Sequence, residues 1–258
     1  MFFQTPEDLK RLNSATKYPS IPTYHQLGEK GKLQNGCLSF PENETIVTEK
    51  IDGTNGRIIF AKEQGYFIGS REKLLYTKGD LIINPALGIV ETLKPIAERL
   101  VYDFQIWTTS YDVLLTYYFE VYGGKCSSGS KNYSGTGISS AGLFDIAKVD
   151  FSELQNKSAS EIASWRDNGG QTFADWGYVN GRARDEELDV VPTLSRDWTP
   201  PTSIQETYQK LKDLIPTTNC ELDEQAKGKP EGIVIRSDDR SQIAKIRFED
   251  YERTLRQG

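Results

Sequence analysis

The chain has 258 residues, 37% hydrophobic and 26% charged, with a formal charge of −6. That length supports one large domain or two small ones around a sizeable core, and the balance is that of a globular protein. No stretch approaches the roughly 18 apolar residues of a membrane span, and the acidic total argues against a protein that coats nucleic acid without specificity.

The N-terminus, MFFQTPEDLKRLN, lacks a basic region followed by an apolar stretch, so no secretory signal is read. Cys37, Cys126 and Cys220 stand far apart without a Cys-x-x-Cys pair, and His25 is the one histidine. This argues against structural zinc and for a reducing, cytoplasmic setting, with the nucleus or an organelle as alternatives. Schemes built on histidine would have to use His25, so chemistry falls to lysine, arginine and carboxylates.

In chain order, Thr5-Pro6-Glu7-Asp8 predicts a helix start, with threonine as N-cap, proline at the first helical position and acids in the first turn. Strands are expected at Glu44–Glu49, Arg57–Ala61 and Tyr66–Gly69, the last two flanking a hairpin turn at Glu63-Gln64-Gly65. Asn84-Pro85 opens an expected helix running toward Leu93, with Pro95 kinking or ending it. Leu115–Tyr122 reads as a buried strand. The Gly/Ser-rich stretch from Gly123 to Gly142 reads as too flexible for core, a connection or a mobile lid carrying Lys125 and Lys131. An apolar segment, Leu143–Ala147, follows. Capping boxes at Ser158-x-x-Glu161 and Ser203-x-x-Glu206 start two helices, the second carrying Ile204, Tyr208 and Leu211 on one face. Gly232–Arg236 and Gln242–Phe248 pair around the turn Ser237–Arg240. The expected class is α+β: mainly antiparallel sheets flanked by helices.

One segment stands out chemically: Thr48-Glu49-Lys50-Ile51-Asp52-Gly53-Thr54-Asn55-Gly56-Arg57. A lysine sits where a strand gives way to a tight turn, and Gly53 permits a sharp bend or close approach. Alone, Lys-x-Asp-Gly fits an ordinary solvated turn. Four further segments add to it: Glu120 within an aromatic strand, Phe144-Asp145 after the glycine-rich stretch, Glu231-Gly232 at the head of a strand, and Lys245 and Arg247 on one face of the next.

In this order they resemble the covalent nucleotidyltransferase superfamily of DNA ligases, RNA ligases and mRNA capping enzymes. Its six motifs look like Lys50–Arg57, Ser70-Arg71, Glu120, Phe144-Asp145, Glu231-Gly232 and Lys245–Arg247. Glu-Lys-x-x-Gly-Thr-Asn followed by Ser-Arg looks most like the ATP-dependent RNA ligases, including nick-sealing and RNA-editing types. The resemblance implies a nucleotidyltransferase (ATP-grasp-like ligase adenylation) domain over residues 44–258, with 1–43 packing on its core. Eleven residues follow Arg247, so no C-terminal oligonucleotide-binding domain is expected, and an accessory protein or domain would supply further grip on nucleic acid.

The resemblance further implies that Lys50 attacks the α-phosphate of ATP to give a lysyl-AMP. The AMP then passes to a 5′-phosphate, and a 3′-hydroxyl of RNA or a nicked duplex seals the strand. Lys245 and Arg247 would serve catalysis and bind the phosphates. Glu49, Ile51, Asn55, Arg57, Arg71, Glu120 and Phe144 would hold the nucleotide, with Glu120 on the ribose and Phe144 on the purine. Glu231 would hold Mg²⁺, or Mn²⁺ in its place. An ammonium with a pKa of about 10.4 is neutral roughly once in 2,500 at pH 7, so such a lysine needs burial and cations around it. The alternatives are a small ATP-dependent DNA or DNA/RNA-hybrid ligase, and a nucleotide-binding module without catalysis.

Overall fold

Two antiparallel sheets, joined at Lys50, organise the chain in a computed structural model that describes residues 3–41, 45–78, 80–82, 87–107, 110 and 112–256. Helix α1 (Pro6–Thr16) comes first, then a small hairpin of β1 (His25–Leu27) and β2 (Leu33–Cys37). Strand β3 (Thr45–Lys50) leads through a turn into β4 (Thr54–Ala61). Strands β5 (Gly65–Ser70), β6 (Leu74–Thr77) and β7 (Asp80–Leu81) and helix α2 (Ile89–Trp107) follow. Next come β8 (Val113–Gly123), β9 (Ser139–Asp150), α3 (Ala159–Asp167), β10 (Thr172–Phe173) and α4 (Trp176–Asp185). The chain continues through β11 (Thr193–Arg196), α5 (Ile204–Leu214), β12 (Gly232–Ser237), β13 (Ile243–Arg247) and α6 (Phe248–Leu255).

The larger sheet runs β10-β9-β8-β4-β5-β6-β7 and the smaller β11-β3-β12-β13. Alternation along β4 and β8 gives the larger sheet two faces. Ile58, Phe60, Tyr117, Phe119 and Val121 pack with α2 in the main core. Ile59 and Leu114 pack on the other face with Leu12 of α1 and Ile162 of α3. Val47, Ile233, Ile235 and Ile246 bury one face of the smaller sheet beneath α5 and α6. Residues of the opposite face of the smaller sheet and of β4, β8 and β9 in the larger one line a single cleft.

The α+β class and antiparallel pairing agree with expectation, as do the Thr5 N-cap of α1 and the capping box of α3. The hairpin at Glu63–Gly65 also forms, with Glu63 and Gly65 at positive φ. Glu44 and the Asn84-Pro85 helix start lie outside the described residues. Pro95 does not end α2, which continues to Trp107. Burial of Leu93, Ala97, Leu100 and Val101 on both sides of it outweighs the missing hydrogen bond. At α5 only half of the expected box is present, the Glu206 N–H donating to Ser203 Oγ.

The glycine- and serine-rich stretch corrects the sequence reading most. It contributes to the core: Tyr133 is fully buried, and Cys126, Ser130 and Ser134 nearly so. Its order comes from polar contacts rather than apolar mass. The Tyr133 hydroxyl accepts from the Asp52 N–H (2.6 Å), and Ser127 Oγ donates to the Asp52 carbonyl (2.7 Å). Thr54 Oγ1 donates to the Cys126 carbonyl (2.5 Å), and Asp223 holds Ser134, Gly135 and Thr136. These bonds brace the turn after Lys50 from behind. Tyr133→Phe leaves the Asp52 N–H without its acceptor, so urea unfolding is expected to show a loss of about 1–3 kcal/mol; an unchanged midpoint would mean the turn holds itself.

Candidate active site

Strand register places the cleft side chains in rows. Lys50 pairs with Gly232 and Gly232 with Arg247; Thr48 pairs with Val234 and Val234 with Lys245; Ile46 pairs with Arg236 and Arg236 with Ile243. Members of a row point to one side of a sheet, so Lys50, Lys245 and Arg247 come together on the cleft face. Gly232 is required between them: a Cβ there would lie 2.1 Å from the Ile246 carbonyl oxygen. The facing wall comes from the larger sheet, where Asn55 pairs with Glu120. The cleft holds about 470 Å³.

Lys50 Nζ donates to Glu231 Oε2 at 2.6 Å. Burial pushes the Glu231 carboxyl up, with the Lys50 ammonium pulling the other way. Burial, and then the neighbouring Arg247, Lys50 and Arg71 cations, push the Lys245 ammonium down. Arg247 is held by Asp250 through two bonds, Nε to Oδ2 (2.8 Å) and Nη2 to Oδ1 (3.0 Å). Lys245 makes no ion pair among the described residues. Glu120 lies deep at the cleft floor, and burial pushes its carboxyl up to about 7 against the pull of Lys50. Beside it, Asn55 also lines the cleft, and its Oδ1 is buried without a partner among the described residues.

A β-bulge shapes the opposite end. Tyr118 pairs with Asp145 but Phe119 pairs with Leu143, so Phe144 is the extra residue. Phe144 meets the Tyr18 ring edge-to-face at 5.0 Å and borders the cleft. Asp145 is fully buried, bonded to Arg236 (3.2 Å), Arg240 (2.6 Å) and the Tyr18 hydroxyl (2.8 Å).

Of the residues expected from sequence, Lys50, Glu49, Ile51, Asn55, Arg71, Glu120, Phe144, Glu231, Lys245 and Arg247 all line this cleft. Arg57 does not. Its guanidinium is fully buried and donates to the carbonyls of Ser70 and Arg71 and to Asn13. It braces the hairpin that carries Arg71, which corrects its assignment as a nucleotide ligand. Glu49 borders the cleft, but its carboxylate turns to the other side of β3, accepting from Thr218 Oγ1 and the Asn219 N–H. Tyr18, Trp176, Val191 and Arg236 also line the cleft without having been singled out in the sequence. They come from two loops, a helix start and one strand; only Arg236, closing Glu231–Arg236, carried a hint. His25 is buried elsewhere, with the Tyr251 hydroxyl on Nδ1 and the Thr202 carbonyl on Nε2.

The family model described as RNA ligase matches residues 43–248. No curated protein sequence matches the chain. Several solved forms of a Naegleria gruberi RNA ligase share the fold. A lysine-to-alanine variant with ATP and Mn is 14% identical, with a TM-score of 0.50, covering 91% of this chain and 63% of that one. An aspartate-to-alanine apo variant is 13% identical, with a TM-score of 0.51 and coverage of 93% and 64%. A glutamate-to-alanine variant with AMP and Mn is 13% identical, with a TM-score of 0.52 and coverage of 90% and 62%. The chain thus spans less than two thirds of the length of these structures, and the likeness is one of fold.

Two outcomes follow from the site. Arg57→Ala is expected to cost about 2–4 kcal/mol in urea unfolding, because it strips buried carbonyls of their donor; unchanged stability would return Arg57 to the cleft. For Glu120 the folded pKa of about 7 lies above the ordinary 4.5, so ionisation opposes folding. Below pH 4.5 the parent and Glu120→Gln should differ least. Between pH 4.5 and 7 the parent should lose about 1–3 kcal/mol relative to the variant. Parallel unfolding midpoints across that range would refute it.

Proposed function

The chain belongs to the RNA ligase family, and we propose that it joins RNA ends through an AMP carried covalently on Lys50. The observation that carries this reading is the placement of Lys50 Nζ, 2.6 Å from Glu231, in one cleft with Lys245, Arg247, Glu120 and Phe144. Solved structures of this fold in complex with ATP and Mn or with AMP and Mn support a nucleotide and a divalent ion as its partners.

In the first step Lys50 Nζ, having given up a proton, attacks the α-phosphorus of ATP. A nitrogen–phosphorus bond forms, the bond to the bridging oxygen breaks, and pyrophosphate leaves. The Glu231 carboxylate is the acceptor nearest to the Lys50 proton. Lys245 and Arg247 stand on the same face to take up charge on the phosphate, which is what nucleotidyl transfer needs most from a protein. Glu120 offers an acceptor to the ribose hydroxyls with Asn55 beside it on the same wall, and the Phe144 ring offers the purine a stacking face, worth about 1–3 kcal/mol.

The donor set also suits a hard cation. The Glu231 carboxyl feels the neighbouring Asp52 carboxylate, and Glu120 feels both. Mg²⁺ takes only one or two protein carboxylates, with water and phosphate oxygens completing its shell; Glu231 would hold it. Such an ion neutralises phosphate charge.

Later steps need the AMP moved to a 5′-phosphate, making a phosphorus–oxygen–phosphorus link and freeing Lys50. A 3′-hydroxyl oxygen then attacks that 5′-phosphorus and AMP leaves. Arg71, half-exposed at the cleft rim, is placed to meet the incoming end.

Incubation with α-labelled ATP should give an acid-stable adduct in the parent and none in Lys50→Ala. A labelled Lys50→Ala protein would move the nucleophile elsewhere. Chasing the parent adduct with 5′-phosphorylated RNA or DNA separates an RNA ligase from a DNA or hybrid ligase.

A further inference from the structure

Arg247, the last residue of β13, is also the N-cap of α6, and Asp250 lies in the first turn of that helix. The Asp250 carboxylate is 1% exposed and grips the arginine along one edge, taking Nε on Oδ2 and Nη2 on Oδ1. A fork of two parallel bonds fixes the plane of the guanidinium as well as its place. Nη1 makes no hydrogen bond among the described residues and stands 3.6 Å from the exposed Glu249 carboxylate.

The holder cannot follow the arginine, because α6 is tied down on its other sides. The Tyr251 hydroxyl bonds His25 Nδ1 (2.6 Å), and its ring stacks on Tyr208 of α5 at an interplanar angle of 9°. Thr254 Oγ1 accepts from the Leu33 N–H (2.9 Å), and Arg253 Nη1 donates to the Gly31 carbonyl (3.2 Å). Arg253 Nη1 also reaches Asp250 Oδ1 at 3.4 Å. Asp250 is thus a fixed point in the fold, to which the long side chain of Arg247 is fitted.

Two simpler roles for Asp250 fall short. An acid in the first turn favours the helix dipole, but Glu249 in the same turn supplies that from the surface. A buried ion pair adds little net stability, so stability alone does not account for a carboxylate placed under cover. Arg247, by contrast, needs a holder. It feels three carboxylates, Asp250, Glu249 and Glu231, and Glu231 is the acid that already holds Lys50. A guanidinium free to choose would settle on Glu231, in competition with the lysine and with any cation there.

We propose that Asp250 is a positioning residue for the transfer of AMP to Lys50. It presents the Nη1–Nη2 end of Arg247 to the α-phosphate and keeps the guanidinium off Glu231, while touching no substrate itself. The inference rests on the lysyl-AMP reading, in which the nitrogen–phosphorus bond forms as pyrophosphate leaves. Charge and orientation are separable here. Asp250→Asn keeps every cation, removes a negative charge, and sets an amide N–H against a guanidinium N–H. ATP binding follows charge and is kept or tightened, whereas the rate follows geometry and falls.

The test follows Lys50 adduct formation by the full chain over a range of α-labelled ATP concentrations with Mg²⁺. Asp250→Asn should slow the step at saturating ATP by about tenfold or more, with half-saturation no higher than the parent's. Loss of folded protein alone would lower the amount of adduct without splitting rate from half-saturation in this way. Arg247→Lys, which cannot make the fork, should slow the step comparably. Adding Asp250→Asn to it should cost no more than about twofold further. A parental rate for Asp250→Asn, a half-saturation raised in step with the loss, or losses that multiply in the double variant would each overturn the proposal. Should Asp250→Asn not fold, Asp250→Glu makes the same comparison, since it keeps the charge and displaces the fork. Its rate at saturation should fall with half-saturation unchanged, and a parental rate overturns the proposal. A parent that forms no adduct would refute the lysyl-AMP reading, whereas a labelled parent with an unaffected Asp250→Asn refutes only the role of Asp250.

Discussion

Lys50 is the last residue of β3, and within four residues the chain is in the other sheet. Everything at the site depends on that crossing. Were the turn longer, the lysine and the Asn55–Glu120 wall would not line one cleft. The turn is short because Gly53 lies against β8: a Cβ there would sit 2.4 Å from the Val121 carbonyl oxygen. It is held by Tyr133, Ser127 and Cys126, whose polar contacts satisfy the backbone groups a tight crossing exposes. A second link closes the far end of the cleft, where Asp145 of the larger sheet binds Arg236 and Arg240 of the smaller. Buried ion pairs add little net stability, but breaking one is costly, and that asymmetry fixes geometry. A third link runs through residues 189–192, bonded to Leu143 on one side and Glu49 on the other.

These links explain why an acidic chain can present a cationic surface where it matters. The formal charge of −6 is an average over the surface, whereas the rows set by β3, β12 and β13 place Lys50, Lys245 and Arg247 side by side. Mutual repulsion among them is tolerated because carboxylates stand behind: Asp250 behind Arg247, and Glu231 against Lys50. Lys245, without such a partner among the described residues, is the one pushed down. Burial is the first cause for both signs of charge, lowering Lys245 and raising Glu120 and Glu231. The cleft therefore holds opposed charges that are both poorly solvated, a state that an anionic ligand with its counter-cation would relieve.

Much of this was legible in the sequence because it is local. Strand alternation put Lys245 and Arg247 on one face, capping residues marked α1 and α3, and the segment around Lys50 announced its turn. Arg57 misled because a motif position gives no orientation: its side chain shares the cleft face with Asn55 but reaches Asn13 and the Ser70-Arg71 turn instead. The glycine-rich stretch misled because composition records missing apolar mass, not hydrogen bonds, and its order rests on partners as distant as Asp52 and Asp223. Tyr18, Trp176 and Val191 were invisible for a related reason. Each reaches the cleft through tertiary packing of a segment with no periodic signal, as when Trp176 opens α4 beneath Arg236.

The contact between Lys50 and Glu231 carries one more consequence for the proposed chemistry. At 2.6 Å the ammonium is held by the carboxylate, and a lysine so held is not a nucleophile. On the proposed reading, productive binding has to separate the pair. A bound cation competes for Glu231, and a phosphate flanked by Lys245 and Arg247 competes for Lys50. Both competitors arrive with the nucleotide, so the pair would guard the lysine until its substrate is in place. Because the sheets are tied at the Lys50 crossing and again at Asp145, this exchange falls to side chains rather than to a hinge between the walls. The raised Glu120 carboxyl on the opposite wall would then gain a partner in the same event, which couples recognition of the ribose to release of the lysine.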